Sequence, residues 1–355
     1  MVASRRLIVL GTSPPKQRDH PLGRPPARVA TASTGPGGAA VRGGPKIEGD
    51  LSEEDRNARD AASRVVRKGP ASVTEVIERT ETLQFEPACA LGALLGVPVP
   101  DLERGAGLPL LWHWIYLIDR PAQADLGLDG HPVRGTLPAP PGPGRRRMWA
   151  GGRVRTRGSL RAGSPATKRT SVLSVTEKQG RSGHLTFVTV GHQIAQGGQL
   201  VIDEEQDIVY REEVIVPAPA PAAEAAFVAE PAGQPPRVPP ADGEWEIEVS
   251  PTLLFRFSAL TYNAHRIHYD RDYCRDVEGY PGLLTHGPLQ ALAMAEAARA
   301  AGRADGDLTF EYRLVSPLFD YQGLIVGAVP GQAGVTTSAR DRYGRQTAAG
   351  TLTRG

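Results

Sequence analysis

Cysteine is nearly absent from this sequence: Cys89 and Cys274 are its only two, and they lie far apart. Neither a disulfide framework nor a cysteine-based zinc site can be built from such a pair, which fits a reducing compartment. Long hydrophobic runs are missing as well. The longest, at residues 7–10 and 108–112, fall far short of the roughly 20 residues that a membrane-spanning helix needs, so no membrane partner is expected. Charge of one sign is not in excess either: the formal net charge is +2, whereas a dedicated nucleic-acid binder shows a concentrated basic face. No glycine-rich phosphate loop follows a strand, and no Gly-x-Ser-x-Gly nucleophile elbow is present. Glycine (41) and proline (32) are abundant, so apolar cores are diluted by connecting segments. At 355 residues the chain has room for two ordinary domains.

Two stretches punctuate it. Residues 1–68 are rich in Arg, Pro, Gly and Ala and read as a disordered tail or as translated sequence ahead of the native start. An organelle transit peptide is the alternative for this Arg-rich start. A cytoplasmic setting is therefore expected, with the mitochondrial matrix as its alternative. Residues 216–243, with repeated Pro and Ala, read as a semi-rigid linker between segments 69–215 and 244–355. Both segments read as antiparallel meanders, with strand–turn–strand patterns around 151–178 and 308–329, followed by further strands in each. Tandem duplication is the inference. In the second segment, Ser250 and Pro251 open a short helix over 251–260, and a buried Ala-rich helix runs from Leu289 to about Ala301, ended by Gly302.

Between those helices lies a loop of unusual polarity. Of eight histidines, His265, His268 and His286 fall within 22 residues, beside Asn263, Arg266, Asp270 and Glu278. So many hydrogen-bonding groups between apolar helices are costly to bury without a purpose; a solvated turn with capping histidines is the bland alternative. His265 and His268 lack the third and fourth partners that a metal would need, so no metal is expected. In Thr285-His286-Gly287-Pro288-Leu289, free N–H groups at the helix start suit a carbonyl oxygen that becomes an enolate.

The residues "LLFRFSALTYNAHRIHYDRDY" followed by "VEGYPGLLTHGPL" resemble the MaoC-like hydratases and dehydratases. The closer resemblance is to the branch of mesaconyl-CoA hydratases and fungal-type mitochondrial hydroxyacyl-thioester dehydratases. "LPLLWHWIYLI", "LGLDGHP" and "RRRMWAGGRV" resemble the N-terminal domain of the same branch, so the likeness spans about residues 71–355 apart from the linker. It implies an α+β fold, a tandem hot-dog of antiparallel sheets each wrapped around a helix. The family pattern T-G-D-x-N-P-x-H aligns Thr261 and His268 with its threonine and histidine, but Asn263 takes the place of the aspartate, His265 of the asparagine and Arg266 of the proline. The implied site has His268 as base, Asn263 orienting water and Gly287 holding the thioester carbonyl. Asp270 would orient the His268 ring, with His265 and His286 in support. Arg266, Tyr280, Trp112 and Trp149 are the candidate substrate contacts, Arg266 for a carboxylate on the acyl group. Arg145, Arg146 and Arg147 either meet carrier phosphates or form a solvated charge run. The first segment is expected to hold only a short or distorted helix near 111–118, leaving room for an acyl chain. The expected activity is a hydro-lyase acting on an acyl-CoA or acyl-carrier-protein thioester, without a cofactor and as a possible homodimer. A non-catalytic acyl-thioester binder and a hot-dog thioesterase are the rivals.

Overall fold

Alternating apolar residues in the second half of the chain, such as Phe310, Tyr312 and Leu314, put one face of each strand on a core. The computed structural model describes residues 76–133, 145–180, 183–212, 233–304 and 306–355. The expected tail and the first part of the expected linker lie outside them. Five strands come from each half: β1 (Ile77–Thr82), β2 (Arg145–Thr156), β3 (Pro165–Gly180), β4 (Gly183–Gln196) and β5 (Gln199–Glu212), then β6 (Glu244–Ile247), β7 (Leu308–Leu314), β8 (Leu324–Pro330), β9 (Val335–Arg340) and β10 (Gln346–Arg354). Their order is β1-β3-β4-β5-β2-β7-β10-β9-β8-β6, one ten-stranded sheet in which every neighbouring pair is antiparallel. Outward from the β2–β7 junction both halves follow the same order, which is the signature of a repeat.

Each edge strand leads into an 11-residue helix, α1 (Phe85–Leu95) after β1 and α2 (Pro251–Thr261) after β6, and the two helices pack on each other. Both end on a left-handed residue, Gly96 (φ 68°) and Tyr262 (φ 53°). The Ser250 side chain caps α2, accepting from Leu253 N at 3.2 Å. Helix α1 was not legible beforehand, because Pro87 and the mid-helix Gly92 lower its propensity. Gly92 is needed: a Cβ there would lie 2.4 Å from Val99 Cγ2.

From here the halves diverge. The second sheet wraps α4 (Gly287–Ala300), whose Leu289, Leu292, Ala293 and Met294 are fully buried. A short α3 (Arg271–Asp276) lies between α2 and α4. Between α1 and β2 the described residues of the first half hold no long helix but two 3₁₀ turns, Gln123–Asp125 and Trp112–Ile115, the latter bracketed by Leu111 (φ 68°) and Leu117 (φ 53°). Residues 234–241 carry no regular structure and enter β6 through a turn at Asp242 and Gly243, and Arg340 pins them by donating to the carbonyls of Val238 (3.1 Å) and Pro239 (2.9 Å). No helix among the described residues is long and apolar enough to cross a membrane.

Candidate active site

A cleft of about 1570 Å³ lies beside the Trp112–Ile115 turn of the first half and runs to the start of α4. Its reactive end is built by the loop after α2. Tyr262 turns the chain, Asn263 N–H returns to Ser258 O (2.8 Å), and Asn263 Oδ1 accepts from His265 N (3.0 Å). One 3₁₀ turn over Arg266–His268 then delivers His268. Its Nδ1–H donates to the Leu284 carbonyl at 2.7 Å. That bond fixes the tautomer and leaves Nε2 with its lone pair. Burial pushes the His268 pKa down to about 4, against the opposing pull of the Leu284 bond, so the ring is a neutral base at pH 7.

Four imidazoles form a row. His286 stacks on His268 (centroids 3.6 Å apart, 19° between planes) and shares a hydrogen bond with Ser258 Oγ through Nε2 (2.9 Å). On the other side His265 stands at 90° and 5.5 Å, and its far face meets His131 at 3.9 Å. Burial, more than the neighbouring rings, holds His265 and His286 well below the usual imidazole range.

His131 is a residue that sequence reasoning missed. It comes from the first half, on a loop whose Gly127 N–H donates to His131 O (2.7 Å). Its Nδ1–H donates to Asp129 Oδ2 at 2.9 Å, and Asp129 Oδ1 also accepts from His131 N at 2.9 Å. Burial works to raise the Asp129 pKa, but the bonds from His131 outweigh it and the carboxyl stays below its ordinary value. The loop docks through Arg266 N to Asp129 O (2.8 Å). Gly130 (φ 87°) makes this approach possible, since a Cβ there would fall 1.8 Å from Ala264 O. The signal was present as Asp-x-His inside a glycine- and proline-bearing loop, but nothing local tied it to a histidine 134 positions away. Asp129, His131 and His265 each offer a ligating atom within 4.8 Å of the others. Three donors, one already committed to a hydrogen bond, beside the cationic Arg147 make a poor fit for a metal ion.

Gly287 opens α4 at the cleft, and among the described residues nothing accepts from its N–H. A Cβ at this position would lie 2.2 Å from Leu314 Cδ1. Asn263, His265, Arg266, His268, Tyr280 and Trp149 also line the cleft, and His286 stands behind His268.

Three expectations need correction. Asp270 does not orient His268: it caps α3 by accepting from Tyr273 N (3.0 Å) and holds Arg266 (Nη2–Oδ2 2.7 Å), while a backbone carbonyl holds the ring. Arg266 is not poised for a substrate carboxylate, because its donors go to Asp270 and to Leu128 O (3.1 Å) and its plane stacks on Tyr273 at 4.2 Å. Trp112 lies in the core, fully buried, with Nε1–H donating to Glu296 Oε1 at 2.8 Å; Trp114 stands in the cleft instead, edge-on to Trp149 at 5.5 Å. Of the arginine run, Arg146 and Arg147 both line the cleft, and Arg146 also pairs with Glu278 (3.0 Å) across the two halves.

A neutral histidine and the N-terminus of a buried helix line one cleft of a tandem hot-dog, an arrangement suited to acyl-thioester chemistry. The profile of the family "hydroxyacyl-thioester dehydratase type 2" matches residues 111–320, and the chain belongs to that family. It is a hydro-lyase with the tandem hot-dog fold. It is 45% identical over 251 residues to mesaconyl-C(4)-CoA hydratase of Chloroflexus aurantiacus, covering 69% of this chain and 84% of that protein. It is also 39% identical over 82 residues to the mitochondrial hydroxyacyl-thioester dehydratase type 2 of Schizosaccharomyces pombe, covering 22% of this chain and 27% of that protein. Among solved structures, HtdX of Mycobacterium tuberculosis superposes with a TM-score of 0.54 at 13% identity, over 79% of this chain and 99% of that one. A MaoC-like dehydratase of Phytophthora capsici gives 0.52 at 15%, over 79% and 95%. At such identities these two speak to the fold alone.

Proposed function

We propose that this chain adds water reversibly to a short 2-enoyl-CoA to give a 3-hydroxyacyl-CoA, with His268 as the base and the Gly287 N–H as the donor to the thioester carbonyl. One observation carries the reading: the Nδ1–H of His268 is committed to Leu284 O, so its Nε2 lone pair is available in the cleft that Gly287 also lines. Nε2 takes a proton from water as the oxygen bonds to the β-carbon. The π electrons move onto the thioester oxygen, where the Gly287 N–H and the positive end of the α4 dipole stabilise them. Return of the carbonyl sends the proton from Nε2 to the α-carbon, so atoms and charge balance without a cofactor.

Asn263 has its Oδ1 occupied by His265 N–H, which leaves its NH₂ to hold the attacking water. Asp129 supplies, from the other half, the carboxylate that position 263 lacks. It acts through His131 to brace His265, and so positions the row without touching the substrate. The Chloroflexus relative's name supports a mesaconyl-like acyl group and CoA as carrier. A cytoplasmic setting remains part of this proposal, in keeping with the free thiols of Cys89 and Cys274.

The test follows loss of enoyl absorbance with mesaconyl-C(4)-CoA and crotonyl-CoA, wild type beside His268→Ala. Turnover by the wild type that falls about 10²–10⁴-fold in the variant is expected. Undiminished turnover in the variant overturns the assignment of the base. Thiol release would indicate a thioesterase, and tight binding without turnover an accessory binding protein.

A further inference from the structure

We propose that Arg147 forms an anion subsite for a free carboxylate on the acyl group, which makes the substrate class a dicarboxylic acyl thioester. This rests on the hydratase reading for the position of the reacting carbons. Arg147 lies on β2 two residues before Trp149, on the same side of the strand, and both line the cleft. Arg146 is held by Glu278 and Arg266 by Asp270, but the Arg147 guanidinium has no hydrogen bond or ion pair to any described residue. An unpaired cation half-buried in the cleft wall is costly, and burial accordingly pulls its pKa down. Asp129, the carboxylate whose charge acts on Arg147, already has both oxygens engaged by His131. The guanidinium fork therefore remains open to a ligand, and a planar carboxylate is the group that fits it.

Position decides between this cation and Lys168, another cleft side chain without an ion pair among the described residues. The charge of Arg147 acts on His131 and His265, at the reactive end. Lys168 instead acts on His192, deeper in the first half, and is acted on by Glu204 and Asp119. When the free carboxylate is borne by the carbon that receives water, it must lie beside the histidine row, within reach of Arg147 and away from Lys168. Polar groups interrupt a largely apolar lining. Thr170, His192, Glu204 and Gln206 face the space that a fatty chain would fill, and Glu204 is held ionised by His113, which overcomes burial to keep its pKa at about 2.

The test uses two saturated ligands that cannot be hydrated, succinyl-CoA and butyryl-CoA, with binding read by calorimetry on the full chain. They share chain length and differ in the terminal carboxylate. The wild type is expected to prefer succinyl-CoA by about 10- to 100-fold, the range of a charge-assisted hydrogen-bonded pair. Arg147→Gln should bring that ratio to about one, while Arg147→Lys keeps part of it. Equal affinity of the wild type for the two ligands overturns the subsite, whether or not Arg147→Gln folds. A preference that survives unchanged in Arg147→Gln overturns it as well and moves the role to Lys168. Because neither ligand is turned over, a failed hydratase assay leaves this result intact, and a failed binding preference leaves the hydratase assay standing.

Discussion

The two halves share strand order, an edge strand leading to an 11-residue helix, and a left-handed residue closing that helix, yet they treat the inner face of the sheet in opposite ways. The second half covers it with α4, whose small side chains allow close packing. The described residues of the first half bring only short 3₁₀ turns to it and leave Lys168, Thr170, His192, Glu204 and Gln206 facing a cleft. One repeat keeps the structural helix and the free N–H at its start. The other has no long helix among its described residues between α1 and β2, and sends Asp129 and His131 across to the loop that carries His268. The site thus belongs to neither half alone.

The sharpest way to break this arrangement is at the buried contact between the halves. Arg146 and Glu278 pair at 3.0 Å with both side chains largely buried. Glu278→Gln is expected to cost about 3–5 kcal/mol, because it leaves the guanidinium's charge without its counter-ion. Urea denaturation measures it. A loss below about 1 kcal/mol would mean that the carbonyls of Val277 (3.1 Å) and Glu278 (3.0 Å), which also accept from Arg146, suffice to hold it.

Next in size is Gly287→Ala, which acts only on the second half's contribution. Its methyl group would drive Leu314 Cδ1 aside at the point where the thioester oxygen is to be held. Alanine keeps the backbone N–H, so the expected fall in kcat, about 10²-fold, comes from the clash moving that donor out of line and stays at or below the scale of a donor lost outright. Stability should change far less, since alanine favours the helix that the clash disfavours. Full kcat in a folded variant would mean that Leu314 gives way without moving the N–H, so that the lack of a side chain at position 287 is not what the site needs.

How much of this was readable in advance follows the range of each interaction. The caps and stripe of α2, the buried α4 and the alternating strands of the second half depend on neighbours in sequence, and they were legible. So was the shortage of helix near 111–118. Helix α1 was hidden by Gly92, a residue chosen for close approach to Val99. Asp270 two residues after His268 looked like its partner, but side-chain direction at a helix cap sends it to Arg266 and Tyr273. Asp129, His131 and Arg147 reach the site only through the docking of one repeat on the other, and no local pattern encodes that. Trp112 failed as a cleft residue for the same reason, since its partner Glu296 is 184 positions away.

A smaller effect separates the halves by pH. His268 is neutral in the fold with its pKa at about 4, against about 6.5 when unfolded. The unfolded chain therefore binds more protons between those values. The contribution of neutral His268 is fully present above about pH 6.5 and is lost as pH falls toward 4. At pH 5 the loss from this group is about 2 kcal/mol, and His131, His265 and His286 shift in the same direction. Thermal melts at pH 7 and pH 5 should show the drop, and His268→Gln should shrink it. A midpoint that does not move between the two would contradict a buried neutral row.

The smallest effect is predicted at the exposed side of the same junction. Arg153 on β2 donates to Glu311 on β7 at 2.6 Å, and also to Glu205 at 3.1 Å. The Glu311 side chain is more than half exposed, so water and salt screen the pair. Glu311→Ala should therefore cost no more than about 1 kcal/mol, and less still in high salt. The strand pairing from Gly151↔Arg313 to Thr156↔Leu308 carries the junction without it. Measured beside Glu278→Gln in the same denaturant series, the two variants compare ion pairs of opposite burial across one boundary. Comparable losses from both would show that charge, and not burial, holds the repeats together.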